Sequence, residues 1–171
     1  MLRTGLIHPQ ILEALGSAGH GSLVLISDGN YPSLTAPNPN ARRVYLNLRP
    51  GLVNVTEILA ALLSVVPVER AAVMAPDDGS QPVVQDELLA MIGPDIEVVR
   101  MARHDFYAAT RSPDVALVIV SGETRWWANL LLTIGSTPEN APDLNDRRDP
   151  RLVPVESRDK LPSGAANPKE N

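Results

Sequence analysis

The chain has 171 residues, of which 44% are hydrophobic and none is Cys, and its formal net charge is −5. This length predicts one domain with a hydrophobic core of ordinary size. The missing Cys excludes disulfides, thiolate metal sites and a Cys nucleophile, and the acidic balance argues against a nucleic-acid partner. Both lysines, Lys160 and Lys169, lie close to the C-terminus, which excludes a Schiff-base lysine in the folded part.

The sequence predicts neither a membrane span nor a signal peptide. No stretch approaches the roughly 18 consecutive apolar residues of a membrane-spanning helix. The first ten residues, MLRTGLIHPQ, lack the apolar core of a secretory signal. We therefore expect a cytoplasmic protein without a membrane partner.

The composition changes sharply after Gly135. Residues 136–171 contain six Pro, thirteen charged residues and no aromatic residue. No apolar period survives there, so this segment cannot bury enough surface to offset the entropy of ordering it. We predict a folded domain over 1–135 and a disordered or loosely docked tail over 136–171. The plainest interpretation of the tail is a solubilising extension.

Short apolar runs alternate with helical patterns along the first 135 residues. Continuous apolar runs are typical of strands covered on both faces, and Asn54 followed by Glu57 has the spacing of a helix capping box. In chain order, the predicted elements are helix Pro9–Ala18, strands Leu23–Ser27 and Val44–Leu48, helix Val55–Val65, strand Ala71–Met74, a loop over 75–84, helix Gln85–Ile92, strand Ile96–Met101, helix Asp105–Arg111, and strands Val115–Val120 and Asn129–Ile134. This alternation predicts a three-layer α/β/α fold around one sheet.

Of the three histidines, His20 has the setting most favourable for chemistry, although a lone His is more commonly structural. It stands between Gly19 and Gly21, which let a ligand approach the backbone closely. Asp28 follows at the C-terminal end of the predicted strand Leu23–Ser27, where open α/β sheets bind their ligands. We expect the strand and its preceding turn to bring imidazole and carboxylate together, an arrangement that suits proton transfer near neutral pH.

A second polar segment, residues 121–129 (SGETRWWAN), directly follows a predicted strand. Two Trp before an Asn are typical of a sugar platform, because indole packs against a pyranose face and an amide satisfies hydroxyls. The alternative is that Trp126 and Trp127 are buried in an interface. Glu123 fits a structural hydrogen-bonding role as well as that of an acid catalyst.

Three segments together resemble the RbsD/FucU family of D-ribose pyranases and L-fucose mutarotases: LIHPQILEALGSAGHGSLVLISDGNYP, VRMARHDFYAAT and VIVSGETRWWANLLLTIG. The resemblance spans about residues 1–135. It implies a single mixed sheet of about six strands and an isomerase that interconverts cyclic forms of a free monosaccharide, with no metal or organic cofactor. It also implies a ring-like homo-oligomer, commonly a decamer, with sites near subunit contacts.

The resemblance also implies roles for individual residues. His20 matches the catalytic histidine, the proton donor that helps to open the sugar ring. The residues implied to bind the sugar are Asp28, Arg103, Trp127, Ala128 and Asn129. Arg103 occupies a position that is Arg in fucose-type members and His in ribose-type members. Together with Phe106 and Tyr107, it favours a fucose mutarotase.

The family's sugar-binding triplet begins with Tyr, and Trp127 stands there in this chain. A phenol both donates and accepts a proton, whereas indole only donates. Loss of a general acid or base typically costs about 10²–10⁴-fold in rate. Three alternatives therefore stay open beside a fucose-type mutarotase: a catalytically weak or silent sugar-binding homologue, a D-ribose pyranase, and a purely structural oligomer subunit.

Overall fold

The computed structural model of the chain describes residue 2 and residues 4–137. In chain order, the elements are α1 (Pro9–Ser17), β1 (Leu23–Ser27), β2 (Arg42–Tyr45), α2 (Val55–Leu63), β3 (Val68–Met74), α3 (Val83–Ile92), β4 (Glu97–Met101), α4 (Arg103–Thr110), β5 (Val115–Val120) and β6 (Leu130–Ile134). The sequence beyond residue 137, where a tail is predicted, lies outside the described residues.

The six strands form one mixed sheet in the order β2-β5-β1-β6-β3-β4. β6 lies between β1 and β3 and runs antiparallel to both, whereas the remaining neighbours are parallel. As a result, the segments that follow β1 to β5 and the segment that precedes β6 all meet at one edge of the sheet. We call this the carboxyl edge, marked by Asp28, Ala75, Ala102, Ser121 and Asn129, and we call the opposite edge, marked by Ser22, Val68 and Ile134, the amino edge.

Helices cover both faces of the sheet, which confirms the predicted α/β/α layering. Alternate residues of β1 point to opposite faces, since Val24 and Ile26 belong to one buried cluster and Leu25 to the other. The first cluster packs under α1, α2 and α3. The second packs under Phe106 of α4 and the long segment after β1. No helix in the described part of the chain is long and apolar enough to cross a membrane.

Several predicted boundaries differ from the structure. Strand β3, predicted at Ala71–Met74, begins three residues earlier at Val68, and helix α4, predicted at Asp105–Arg111, lies at Arg103–Thr110. The second strand was predicted at Val44–Leu48 but lies at Arg42–Tyr45, because its partner β5 ends opposite Tyr45 and the apolar residues beyond have no ladder to join. Helix α3 begins at Val83, inside the segment predicted as a loop, because the β-branched pair after Pro82 masks a helical start. The capping interaction at α2 is present: Glu57 Oε2 accepts from the Asn54 backbone N–H at 2.7 Å.

Candidate functional site

A cavity of about 340 Å³ opens at the carboxyl edge, where loops from four strands converge. It is lined by Asp28, Asn30, Tyr31, Met74, Arg103, Tyr107, Trp126, Trp127 and Asn129. Four of the six site residues predicted from the sequence line it, although they are separated by up to 101 positions in the chain. The antiparallel insertion of β6 between β1 and β3 explains their meeting, because it places the residues just before β6 beside those just after β1.

Asp28 and Asn129 form a reciprocal buried pair at the base of the cavity. The Asp28 backbone N–H donates to Asn129 Oδ1 at 3.0 Å, and Asn129 Nδ2 donates to Asp28 Oδ2 at 2.9 Å. The other carboxylate oxygen accepts from the backbone N–H groups of Asn30 and Tyr31 at 2.9 and 3.0 Å. Burial raises the pKa of Asp28 above its usual range, and these hydrogen bonds oppose the shift. The pair is therefore rigid and still has acceptor and donor capacity toward the cavity.

Trp127 has a left-handed backbone conformation, with φ of 66°, which is costly for a side chain of this size. The buried amide of Gln85 holds it: Gln85 Nε2 donates to the Trp127 carbonyl at 2.9 Å and to the Met74 carbonyl at 2.8 Å. Gln85 Oε1 accepts from Arg100 at 2.8 Å. Sequence reasoning missed Gln85, whose only signal is an amide among the apolar residues of a predicted helix.

Arg103 covers one face of the Trp127 ring. Its guanidinium carbon lies 4.9 Å from the ring centroid, and Arg103 Nη2 donates to Asp77 Oδ2 at 2.9 Å. That face of Trp127 is therefore not open to a sugar. The neighbouring Trp126 is 72% exposed at the rim of the same cavity. Of the two indoles predicted as a platform, Trp126 is the accessible one.

Two phenols that sequence analysis did not assign to the site also line the cavity. The Tyr31 hydroxyl is 2.7 Å from Thr110 Oγ1, and burial raises the pKa of Tyr31 to about 12 despite that hydrogen bond. The Tyr107 ring lies 5.3 Å from the Tyr31 ring at an interplanar angle of 59°, and its hydroxyl has no hydrogen-bond partner among the described residues. Tyr31 is thus committed to structure, whereas Tyr107 presents an uncommitted hydroxyl group.

Glu123 and Ala128, two other residues of the second polar segment, have side chains that stabilise the fold rather than face the cavity. Glu123 is buried, and its carboxylate accepts from Arg125 Nε at 2.9 Å and Arg125 Nη2 at 2.8 Å. Burial would raise the pKa of Glu123, but the Arg125 hydrogen bonds outweigh it and hold that pKa below its usual range. Ala128, predicted to bind substrate, has its side chain fully buried in the core, so only its backbone can act at the site.

His20 lies at the amino edge, away from the cavity. Its neighbour Gly21 donates its N–H to the carbonyl of Ile134, the last residue of β6, at 2.9 Å. His20 Nε2 lies 2.8 Å from Glu69 Oε2, and both side chains are substantially exposed. The five residues of β1, at about 3.3 Å each, separate His20 from Asp28 by roughly 16 Å. The expectation that the two side chains lie together within one chain is wrong, because His20 precedes β1 and Asp28 follows it.

The fold and the cavity define a class of α/β protein that has a single mixed sheet and a pocket for a small ligand at the carboxyl edge of that sheet. Within the described residues, no group of three or more His, Asp or Glu side chains is arranged to hold a metal ion. The polar and aromatic side chains that line the cavity suit ligands recognised by hydrogen bonds and aromatic contact.

Comparison with known proteins gives the family. Residues 1–137 match the RbsD / FucU transport protein family, and the chain belongs to it. A D-ribose pyranase of Paracidovorax citrulli is 32% identical over 141 residues, covering 80% of this chain and 99% of that protein. A fucose mutarotase of Danio rerio is 30% identical, covering 76% and 89%.

A solved structure confirms the fold. The fucose mutarotase from Streptococcus pneumoniae, crystallised with L-fucose, is 27% identical with a TM-score of 0.66, covering 77% of this chain and 94% of that chain. The resemblance predicted from the sequence motifs is confirmed at the level of the family. Relatives of this chain are thus sugar pyranases and mutarotases.

Proposed function

We propose that the protein is a cofactor-independent monosaccharide mutarotase that binds a free sugar in the cavity at the carboxyl edge. The observation that carries the proposal is the buried Asp28–Asn129 pair. A carboxylate has about four acceptor sites, and three are used by Asn30, Tyr31 and Asn129. The remaining acceptor capacity, which the backbone of Ala128 shares, and the second Asn129 N–H suit neighbouring sugar hydroxyls.

Mutarotation needs only two proton transfers. One proton reaches the ring oxygen and another leaves the anomeric hydroxyl, so that the bond between the ring oxygen and the anomeric carbon breaks. The aldehyde then rotates, and a hydroxyl adds back to it with the reverse proton transfers. The residues that bind the hydroxyls therefore determine which sugar is accepted. A proton donor near the ring oxygen accelerates the opening of the ring.

His20 is the proposed proton donor, and we assign it to the site of a second copy of the chain. Roughly 16 Å of strand keeps it from the cavity of its own chain, whereas a contact between the amino edge of one copy and the carboxyl edge of another would bring it there. Glu69 accepts from Nε2, which leaves Nδ1 to exchange a proton with the sugar. This assignment fits a ring-like homo-oligomer with sites at the subunit contacts.

Arg103 favours an L-fucose-like sugar over D-ribose. Asp77 and the Trp127 ring hold its guanidinium at the cavity wall. A fixed guanidinium donates several hydrogen bonds in one plane, and the resemblance to the family makes Arg at this position typical of fucose-type members. D-ribose is the alternative substrate, since named D-ribose pyranases are among the relatives.

Trp127 favours a second candidate function, sugar binding without catalysis. The indole cannot accept a proton, and Arg103 covers one of its faces. Tyr107 also lines the cavity, and its uncommitted hydroxyl can serve as the second proton-transfer group that the indole of Trp127 cannot provide. If Tyr107 does not act in this way, the chain binds sugars but accelerates their interconversion poorly.

Exchange spectroscopy by NMR on L-fucose, D-ribose and other free sugars tests the proposal. We expect the folded protein to accelerate anomeric exchange of at least one sugar. Binding by calorimetry without any acceleration would favour the silent homologue, and neither binding nor acceleration would leave a structural subunit.

A mixing experiment tests the assignment of His20 to a neighbouring copy. His20→Gln chains and Asp28→Asn chains are each expected to be folded and inactive. Mixed and reassembled, they should recover roughly a quarter of the wild-type rate, because a quarter of random contacts unite both intact residues. Arg103→Gln replaces Asp28→Asn if that variant does not fold. No recovery in either mixture would show that His20 does not act in the cavity of a neighbouring copy.

A further inference from the structure

A second cavity, of about 420 Å³, lies beside the first at the carboxyl edge. It is lined by Gly29, Asn30, Asn47, Leu48, Arg49, Pro50, Ser121, Gly122, Glu123, Thr124 and Trp126. Asn30 and Trp126 line both cavities, so one ligand can extend from the first cavity into the second along the exposed Trp126 ring. Each cavity alone has the size of a small-ligand pocket.

The wall of this second cavity is built by a close approach of two loops. Gly51 donates its N–H to the Gly122 carbonyl at 2.7 Å, and Gly122 donates to the Val53 carbonyl at 2.9 Å. A side chain at position 122 would overlap the carbonyl oxygen of Leu52. The loop that carries Arg49 is therefore fastened to the loop after β5, next to the sugar site.

The lining of this cavity is rich in uncommitted donors. The side chains of Asn30, Asn47 and Thr124 make no hydrogen bond among the described residues, and Arg49 has no ion pair there. The acidic side chain in the wall, Glu123, is buried and held by Arg125, which also pairs with Glu87 outside the cavity. Arg49 is therefore the cationic side chain of the lining that is free to meet a ligand.

We propose that this second cavity is a subsite for an acidic group carried by the sugar, a carboxylate or a phosphate on the end remote from the anomeric carbon. The inference rests on the proposed function, in which the first cavity holds the sugar ring. A planar guanidinium binds either anion through two parallel hydrogen bonds, and Asn47 and Thr124 can donate to the same oxygens. Trp126 then lies against the part of the ligand between its sugar ring in the first cavity and its acidic group in the second.

Matched pairs of sugars test the subsite. Binding and anomeric exchange are measured for D-galactose against D-galacturonate, and for D-galactose against D-galactose 6-phosphate. We expect at least one acid to bind roughly three- to tenfold more tightly than its neutral parent, as an exposed charge-assisted hydrogen bond allows. Preference for the uronate identifies a carboxylate, and preference for the phosphate ester identifies a phosphate.

Arg49→Gln should remove this preference and leave the neutral sugars unchanged. Arg111→Gln is the matched control, because Arg111 is another exposed arginine without an ion pair in the described part of the chain and lines neither cavity. Equal binding of acids and neutral parents, or a preference that survives Arg49→Gln, would overturn the subsite. Turnover of neutral sugars would uphold the mutarotase even then, whereas Arg49-dependent binding of acids without exchange of any sugar would uphold the subsite and overturn the enzyme.

Discussion

The two edges of the sheet differ in how completely one chain builds them. At the carboxyl edge, Asp28, Asn129 and Trp127 are held by buried hydrogen bonds from other elements. At the amino edge, His20 has one partner, Glu69, and both remain open to solvent. One chain thus builds the cavity but keeps its proposed proton donor at the opposite edge of the sheet. Under the proposed function, a single chain supplies the sugar-binding residues, and the contact between two copies supplies the proton donor.

Loss of Gln85 is expected to have the largest effect on the carboxyl edge. Gln85→Leu leaves the carbonyls of Met74 and Trp127 without a buried donor, which should cost about 2–4 kcal/mol in the free energy of unfolding. Urea denaturation measures it, and sugar binding should weaken along with it. Gln81→Leu, on an exposed glutamine nearby, should stay within about 0.5 kcal/mol of the wild type. An unchanged Gln85→Leu variant would mean that the carboxyl edge is not held by this amide.

Trp127→Tyr is the substitution expected to raise activity. It restores a group that both donates and accepts a proton, so we expect kcat for anomeric exchange to rise by about tenfold. Trp127→Phe is the control, because it alters size and the contact with Arg103 without adding a hydroxyl. Equal rates for the Tyr and Phe variants would show that proton transfer at this position is not limiting.

At the amino edge, Glu69→Gln should lower kcat by about three- to tenfold and leave KM unchanged. The carboxylate fixes which imidazole nitrogen carries the proton, so ¹⁵N shifts of the His20 ring should change in the variant. Glu97→Gln removes a comparable exposed carboxylate, the partner of Arg70, and should alter neither quantity. A fall in KM, or ¹⁵N shifts of the His20 ring that equal those of the wild type, would argue that Glu69 does not position His20.

The smallest expected effect is a pH dependence of stability from Asp28. Burial raises its pKa, so the folded chain keeps this proton to a higher pH than the unfolded chain. The stability it contributes is full below the ordinary value of 3.8 and is lost as pH rises through the folded value. The wild type should therefore lose stability relative to Asp28→Asn between pH 4 and pH 7 in urea titrations. Asp105→Asn, on an exposed carboxyl, should keep the wild-type pH dependence.

The sequence predicted all ten elements and the family, because continuous apolar runs, the glycines around His20 and the segment 121–129 are local signals. It placed His20 and Asp28 together although the correctly predicted strand Leu23–Ser27 separates them, because the length of an extended strand was not set against the reach of two side chains. Arg49 carries no local signal of its role, and the amide of Gln85 among apolar helix residues does not indicate what it contacts. Gln85 matters through a loop 42 residues away, and Arg49 through a loop brought close by a tertiary contact.

The position of β6 also bears on how the chain is made. This strand is the last in sequence among the described elements, yet it lies between β1 and β3. Until residues 130–134 have left the ribosome, the other strands can pair only as two separate groups, β2-β5-β1 and β3-β4. Closure of the sheet and formation of the Asp28–Asn129 pair are therefore one late event in synthesis. A chain that stops short of β6 lacks both its central strand and its ligand pocket.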